Sequence, residues 1–181
     1  MKALLIVDVQ NDFVSGGSLA VEDAEQVIPT INKVMDYFDL VMASKDWHPA
    51  ESEHFKKWPV HCVSESKGAD FHPDLHQDKI NQVFYKGTGK KDDGYSAFEA
   101  TNMNFLSFLK DKGVKDLYIC GIALEFCVKS SALDAIKGGL NVYLIRDAIA
   151  TFSKDSKEIE AEYDKMKNEG ATIVLSKQII D

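Results

Sequence analysis

A three-layer, doubly wound α/β fold around a mainly parallel sheet is what this 181-residue sequence predicts. Three observations carry that expectation. Six short apolar runs rich in valine and isoleucine recur without polar alternation, as strands covered on both faces do. Helix-period segments lie between several of them, and strands alternating with helices imply a parallel sheet. The side chains suited to chemistry fall just past the ends of those runs, where ligands bind in such sheets.

The runs are Ala3 to Val9, Leu40 to Ala43, Gln82 to Tyr85, Leu117 to Cys120, Val142 to Ile145 and Thr172 to Leu175. Glu22 to Phe38 sets Val27, Ile31, Val34 and Phe38 on one helical face, and Pro29 inside it signals a kink or a late start. Phe98 to Lys112 carries Phe105, Phe108 and Leu109 and stops at Gly113. Glu125 to Lys137 stops at Gly138-Gly139, and Asp155 to Glu169 at Gly170; glycine past the last turn ends a helix. The stretch from about 46 to 79 differs, holding all five histidines, three of the four prolines and little periodicity. We read residues 1–181 as a single domain with an irregular metal-binding excursion there, because long irregular loops in compact domains are commonly functional.

Bulk properties exclude some partners. A net charge of −8 argues against a nucleic-acid binder, which needs clustered Lys and Arg, and against attraction to anionic membrane. Three cysteines at unrelated spacings make no disulfide framework. The apolar N-terminus is cut short by Asp8, too soon for a signal peptide, and no stretch approaches a membrane span. Neither charge inference identifies a substrate; a reducing, cytoplasmic setting is the expectation, and homo-oligomerisation stays open.

Asp46, His48, His54 and His61 form the pattern D-x-H-x5-H plus one further imidazole. Imidazoles with a carboxylate suit one divalent ion, zinc foremost, with manganese or iron(II) as alternatives. His72 and His76 are set aside, since His72-Pro73-Asp74 reads as a turn. Cys127 lies at the start of a predicted helix, where the dipole lowers a thiol pKa. Cys120, inside an apolar run, and Cys62 read as structural. Asp8 and Lys86 each close an apolar strand, where a charge needs a compensating partner; together they fit an ion pair beside a nucleophilic thiol. Gly87-Thr88-Gly89-Lys90-Lys91 lacks the full phosphate-loop pattern and reads as a solvated loop. Ser15-Gly16-Gly17-Ser18 reads as a turn, with no dinucleotide fingerprint after the first strand.

Several strings together resemble the nicotinamidase/pyrazinamidase family of isochorismatase-like cysteine hydrolases. They are Ala3-Leu4-Leu5-Ile6-Val7-Asp8-Val9-Gln10-Asn11-Asp12-Phe13, Gly16-Gly17-Ser18-Leu19-Ala20-Val21 and Lys45-Asp46-Trp47-His48-Pro49. Trp58-Pro59-Val60-His61-Cys62-Val63, Gly68-Ala69-Asp70-Phe71-His72-Pro73, Lys86-Gly87, Asp93-Gly94-Tyr95-Ser96-Ala97-Phe98 and Gly121-Ile122-Ala123 complete the match. The resemblance implies an isochorismatase-like, Rossmann-like fold with Cys127 as nucleophile, Asp8 as proton acceptor and donor, and Lys86 as the third catalytic member. It implies Asp46, His48, His54 and His61 as metal ligands, and Phe13, Trp58 and Tyr95 as substrate-binding residues. It also implies a cis peptide before Ala123, whose N–H would form an oxyanion hole with that of Cys127. The activity implied is hydrolysis of nicotinamide to nicotinate and ammonia in NAD salvage, and of pyrazinamide, through a cysteine thioester. Two alternatives stay open: another small-molecule amide or ureido hydrolase of the superfamily, and a non-catalytic metal- or nucleotide-binding module with an unreactive Cys127. Leu124-Glu125-Phe126 departs from many bacterial members, which more often carry Thr-Asp followed by His or Tyr.

Overall fold

The structure, a computed structural model, describes residues 1–180. Its centre is a six-stranded sheet of β1 (Lys2–Val7), β2 (Leu40–Asp46), β3 (Gln82–Lys86), β4 (Asp116–Gly121), β5 (Asn141–Ile149) and β6 (Thr172–Val174). The order is β3-β2-β1-β4-β5-β6, and every pairing is parallel. The predicted apolar runs are these strands. Ala3 through Val7 are fully buried, as the absence of polar alternation requires. The helices α1 (Ile28–Met35), α2 (Phe105–Asp111), α3 (Lys129–Lys137), α4 (Ser156–Asn168) and α5 (Lys177–Ile180) flank the sheet in a three-layer α/β arrangement. α1 packs on β4 and β5, α3 on β5 and α4, and α4 on β6.

Three helix boundaries differ from the sequence reading, each for a local reason. The first pattern starts late: a 3-10 turn at Ala24–Val27 precedes α1, which holds Pro29 in its first turn, where a missing N–H costs nothing. The second pattern is two elements. Ser96 and Glu99 form a capping box around the short turn Ala97–Glu99, and the Asn104 side chain then caps α2 by accepting from Ser107 N–H at 2.8 Å. Hydrophobic periodicity spans both and hides the break. The third begins with a π turn, Leu124–Val128, before α3; single π turns are frequent at functional sites. β5 also runs past the expected Ile145, because Arg146 finds Glu160 and the ring of Tyr163, at 4.7 Å, instead of needing open solvent.

Chain direction reverses its walk across the sheet between β1 and β4, so their carboxyl ends flank a natural crevice. Gly121 is required there. Its φ is +113°, and a Cβ would stand 2.1 Å from the Val7 carbonyl oxygen of the paired strand. Between β2 and β3 the chain makes only short 3-10 turns, and it passes over the same end of the sheet. No helix among the described residues is long and apolar enough to cross a membrane.

Candidate active site and metal centre

Strand register brings the first pair of site residues together. Asp46 and Lys86 are direct partners on β2 and β3, and Val7, which precedes Asp8, is paired with Ser44. Lys86 is fully buried. Its ammonium lies 2.7 Å from Asp8 Oδ2, pairs with Asp46 Oδ1, donates to the Gly94 carbonyl at 2.9 Å, and stands 3.4 Å from Cys127 Sγ. Asp8 is held in the left-handed region at φ 49°, with Oδ1 accepting from the Ser44 hydroxyl at 2.7 Å. A non-glycine residue in that region marks a position the surroundings over-determine.

Burial alone would neutralise these groups, so their neighbours decide. Burial pushes the Asp46 carboxyl up, but the Lys86 ammonium and the His48 and His61 rings outweigh it and hold it well below its ordinary value. Asp8 goes the other way: burial, reinforced by Asp46, raises its pKa despite Lys86. Burial lowers Lys86, yet Asp46, Asp8 and Cys127 together keep it protonated well above the ordinary lysine value.

These directions set a pH dependence. The stability Asp46 contributes is present above its unfolded value near 3.8 and is lost as pH falls through the lower folded value. Asp8 has the opposite sign, favouring the fold more as acid protonates it. Urea midpoints of metal-free protein should therefore fall less steeply below about pH 4 in Asp46→Asn than in the unsubstituted chain. Equal slopes would contradict the assignment.

Cys127 corrects one expectation. It lies in the π turn, not in the first turn of a regular helix, and its thiol is not lowered. Burial pushes it well above the ordinary thiol range; Lys86 pulls it down, but Asp8 and Asp46 push it further up. A ligand atom from each of Asp8, Asp46 and Cys127 lies within 4.8 Å of the others. The geometry places a thiol beside a buried carboxyl, the two groups a proton transfer would need.

The three imidazoles converge next to this cluster. Atoms of His48, His54 and His61 lie within 4.8 Å of one another, and all three rings are buried. Each ring spends Nδ1 on the protein: His48 on the Gly87 carbonyl at 2.9 Å, His54 on Asp92 at 2.8 Å, His61 on the Pro59 carbonyl at 2.7 Å. That fixes the tautomer and leaves Nε2, the arrangement metal-binding histidines show. Burial also lowers the His54 pKa, against the raising effect of its hydrogen bond to Asp92. His48 Nε2 is buried without a hydrogen-bond partner. Asp46 Oδ2 stands 3.5 Å from His48 Nε2 and 3.7 Å from His61 Nε2. Two tetrahedral ligands about 2.1 Å from one ion stand roughly 3.4 Å apart, so the spacing fits a shared divalent metal better than a direct contact.

Both clusters open on one cavity, lined among others by Phe13, Asp46, His54, Trp58, His61, Tyr95, Ala123 and Cys127. Phe13 lies 5.4 Å from the His61 ring, and Trp58 Nε1 donates to the Tyr95 hydroxyl at 3.0 Å. Phe126 meets Trp58 edge-on at 5.1 Å and Phe152 at 5.4 Å, so the wall it forms is apolar. The Ile122–Ala123 peptide is cis.

The isochorismatase-domain profile matches residues 2–178. This chain belongs to the isochorismatase family. As an isochorismatase-family protein it is 39% identical to the nicotinamidase/pyrazinamidase of Mycobacterium tuberculosis, over 97% of this chain and 100% of that one. It superposes with a TM-score of 0.86 on the Pyrococcus horikoshii pyrazinamidase solved with zinc, at 38% identity over 96% and 98% of the two chains. It superposes at 0.90 on PnC1 from L. infantum solved with nicotinate, at 35% identity over 98% and 93%.

In this isochorismatase-family site, the structure brings every predicted site residue to the cavity or directly beneath it: Asp8, Lys86 and His48 behind the wall, the rest on or at it. His72 and His76 stay outside, His72 forming the expected turn by accepting from Leu75 N–H at 3.0 Å. Cys62 and Cys120 are buried away from solvent, as expected of structural thiols. The solvated-loop reading of Gly87 to Lys91 needs correction at its first residue. Gly87 is buried at φ 65°, and a Cβ would meet His48 Cε1 at 2.4 Å. Gln10 and Ser44 were not singled out. Gln10, fully buried, accepts from Asp46 N–H at 2.9 Å and donates to the Asp46 carbonyl at 2.8 Å, locking the backbone of the residue that joins both clusters. A glutamine directly after the apolar run Ala3 to Val9 is the available signal.

Proposed function

We propose that the chain is a nicotinamidase, hydrolysing the carboxamide of nicotinamide to nicotinate and ammonia, and pyrazinamide likewise, through a thioester on Cys127. The observation that carries the reading is one cavity shared by the thiol, three converging imidazoles and an aromatic wall. The names of the M. tuberculosis and P. horikoshii relatives and the nicotinate bound to the L. infantum protein support the substrate class.

In this mechanism Phe13 and Trp58 flank the ring, and Tyr95 closes the pocket. Asp8 takes the Cys127 proton and the sulfur adds to the amide carbon. The N–H groups of Ala123 and Cys127 are assigned to the oxyanion on the family resemblance; those of Leu124, Phe126 and Val128 are spent on the Ala150 and Ala123 carbonyls. Lys86 balances the charge as it passes between sulfur and carboxylates. Asp8 returns the proton to the leaving nitrogen, and ammonia departs. Asp8 then deprotonates a water that attacks the thioester, releasing nicotinate and restoring the thiol. Asp46, His48, His54 and His61 are assigned to one divalent ion, zinc by donor set, which when bound supplies a Lewis-acid point for the ring nitrogen. Three free thiols agree with a reducing, cytoplasmic setting.

Ammonia and nicotinate release from nicotinamide, with and without chelator, tests the reading: turnover that chelation abolishes is expected, and no release from the metal-loaded protein sinks it. His54→Ala should lose metal and raise KM at least about tenfold. If chelation and this substitution leave kcat and KM unchanged, the metal has no part in the reaction.

A further inference from the structure

Asp92 lies just past the Gly87 to Lys91 loop that the sequence assigns to solvent, yet its carboxylate turns inward. Oδ1 accepts from His54 Nδ1 at 2.8 Å and from the Tyr95 hydroxyl at 3.3 Å, while Oδ2 pairs with Lys57. The same Tyr95 hydroxyl accepts from Trp58 Nε1 at 3.0 Å. One carboxylate therefore reaches an imidazole of the metal cluster directly and two aromatic walls of the cavity through a single hydroxyl. Among the described residues it is also the only side chain holding an Nδ1 in that cluster, since His48 and His61 use backbone carbonyls.

We propose that Asp92 is a positioning residue with two tasks: it presents His54 Nε2 to the metal, and it holds the Tyr95–Trp58 wall against the substrate ring. The inference rests on the metal reading given above. A neutral imidazole that donates Nδ1–H to a carboxylate keeps its Nε2 lone pair aimed and more basic. The ion pair with Lys57 is not the source of the effect. The Lys57 side chain is 68% exposed, and pairs at the surface contribute little.

Zinc affinity measured by competition with a chromophoric chelator separates these roles. Asp92→Ala should bind zinc about 10- to 100-fold more weakly, the range seen when such supporting carboxylates are removed. Asp92→Asn keeps a carbonyl oxygen for Nδ1–H and should recover to within about threefold. Lys57→Ala should match the unsubstituted protein. At saturating zinc, nicotinamide KM should stay raised in Asp92→Ala by about tenfold while kcat moves by less than about threefold, because the ring wall and not the thiol has been loosened. Asp92→Ala that melts lower without zinc but binds zinc with unchanged affinity has lost only a loop latch, and that result overturns the proposal. Unsubstituted protein that binds no zinc overturns the metal reading and this one together, whereas normal binding with an unaffected Asp92→Ala overturns this one alone.

Discussion

Cys127→Ala should release no measurable ammonia from nicotinamide, yet fold, melt near the unsubstituted protein and keep its metal. The expected loss is at least about 10⁴-fold, because without the proposed nucleophile only binding and oxyanion stabilisation remain. Structure survives for separate reasons. Sγ is one small atom at a cavity wall, and its polar neighbour Lys86 retains Asp8, Asp46 and the Gly94 carbonyl. None of the three imidazoles touches the sulfur through a hydrogen bond, so the metal site has no reason to loosen. Steady-state ammonia release, thermal melting and metal content on one preparation check all three statements. Activity within about tenfold of the unsubstituted protein would remove Cys127 from the chemistry.

Lys86→Met has the largest expected effect on stability. Methionine fills similar space but leaves Asp8 and Asp46 fully or almost fully buried without their cation. Breaking a buried ion pair by removing one partner costs about 3–5 kcal/mol. The sign follows from the pKa directions. Lys86 is raised, so its contribution is complete below the ordinary lysine range and is lost only as pH rises through its folded value. The deficit of Lys86→Met is therefore full at neutral pH and shrinks in acid, as protonation removes the charges left unpaired. Urea unfolding of metal-free protein at pH 7 and pH 4 checks this, and a deficit that grows in acid contradicts the ion-pair account. Turnover falls as well, because an Asp8 that keeps its proton cannot accept the thiol's.

The site was legible in the sequence to the extent that it hangs on strand ends. Asp8, Asp46 and Lys86 interrupt or end apolar runs, and a parallel sheet delivers such residues to one edge whatever the loops do. The imidazoles were legible by type and crowding. Asp92 was not, because the Lys90-Lys91-Asp92-Asp93 run is indistinguishable from a solvated loop until His54, 38 positions earlier, is placed beside it. The thiol pKa was misjudged for a related reason. A helix start is a local feature, but Cys127 answers first to its burial and then to Lys86, Asp8 and Asp46, which arrive from three other strands' ends. The early start given to α2 shows the same limit in the fold, since caps at Ser96 and Asn104 break a pattern that hydrophobic periodicity joins.

Protection of Cys127 from iodoacetamide by nicotinate is the most direct test, because Cys62 and Cys120 are buried and the label reports on one sulfur. With metal bound and nicotinate about tenfold above its Kd, labelling should slow about tenfold, and chelation should abolish that protection. A labelling rate indifferent to nicotinate, or protection that persists without metal, would mean that sulfur and imidazoles do not grip the same molecule.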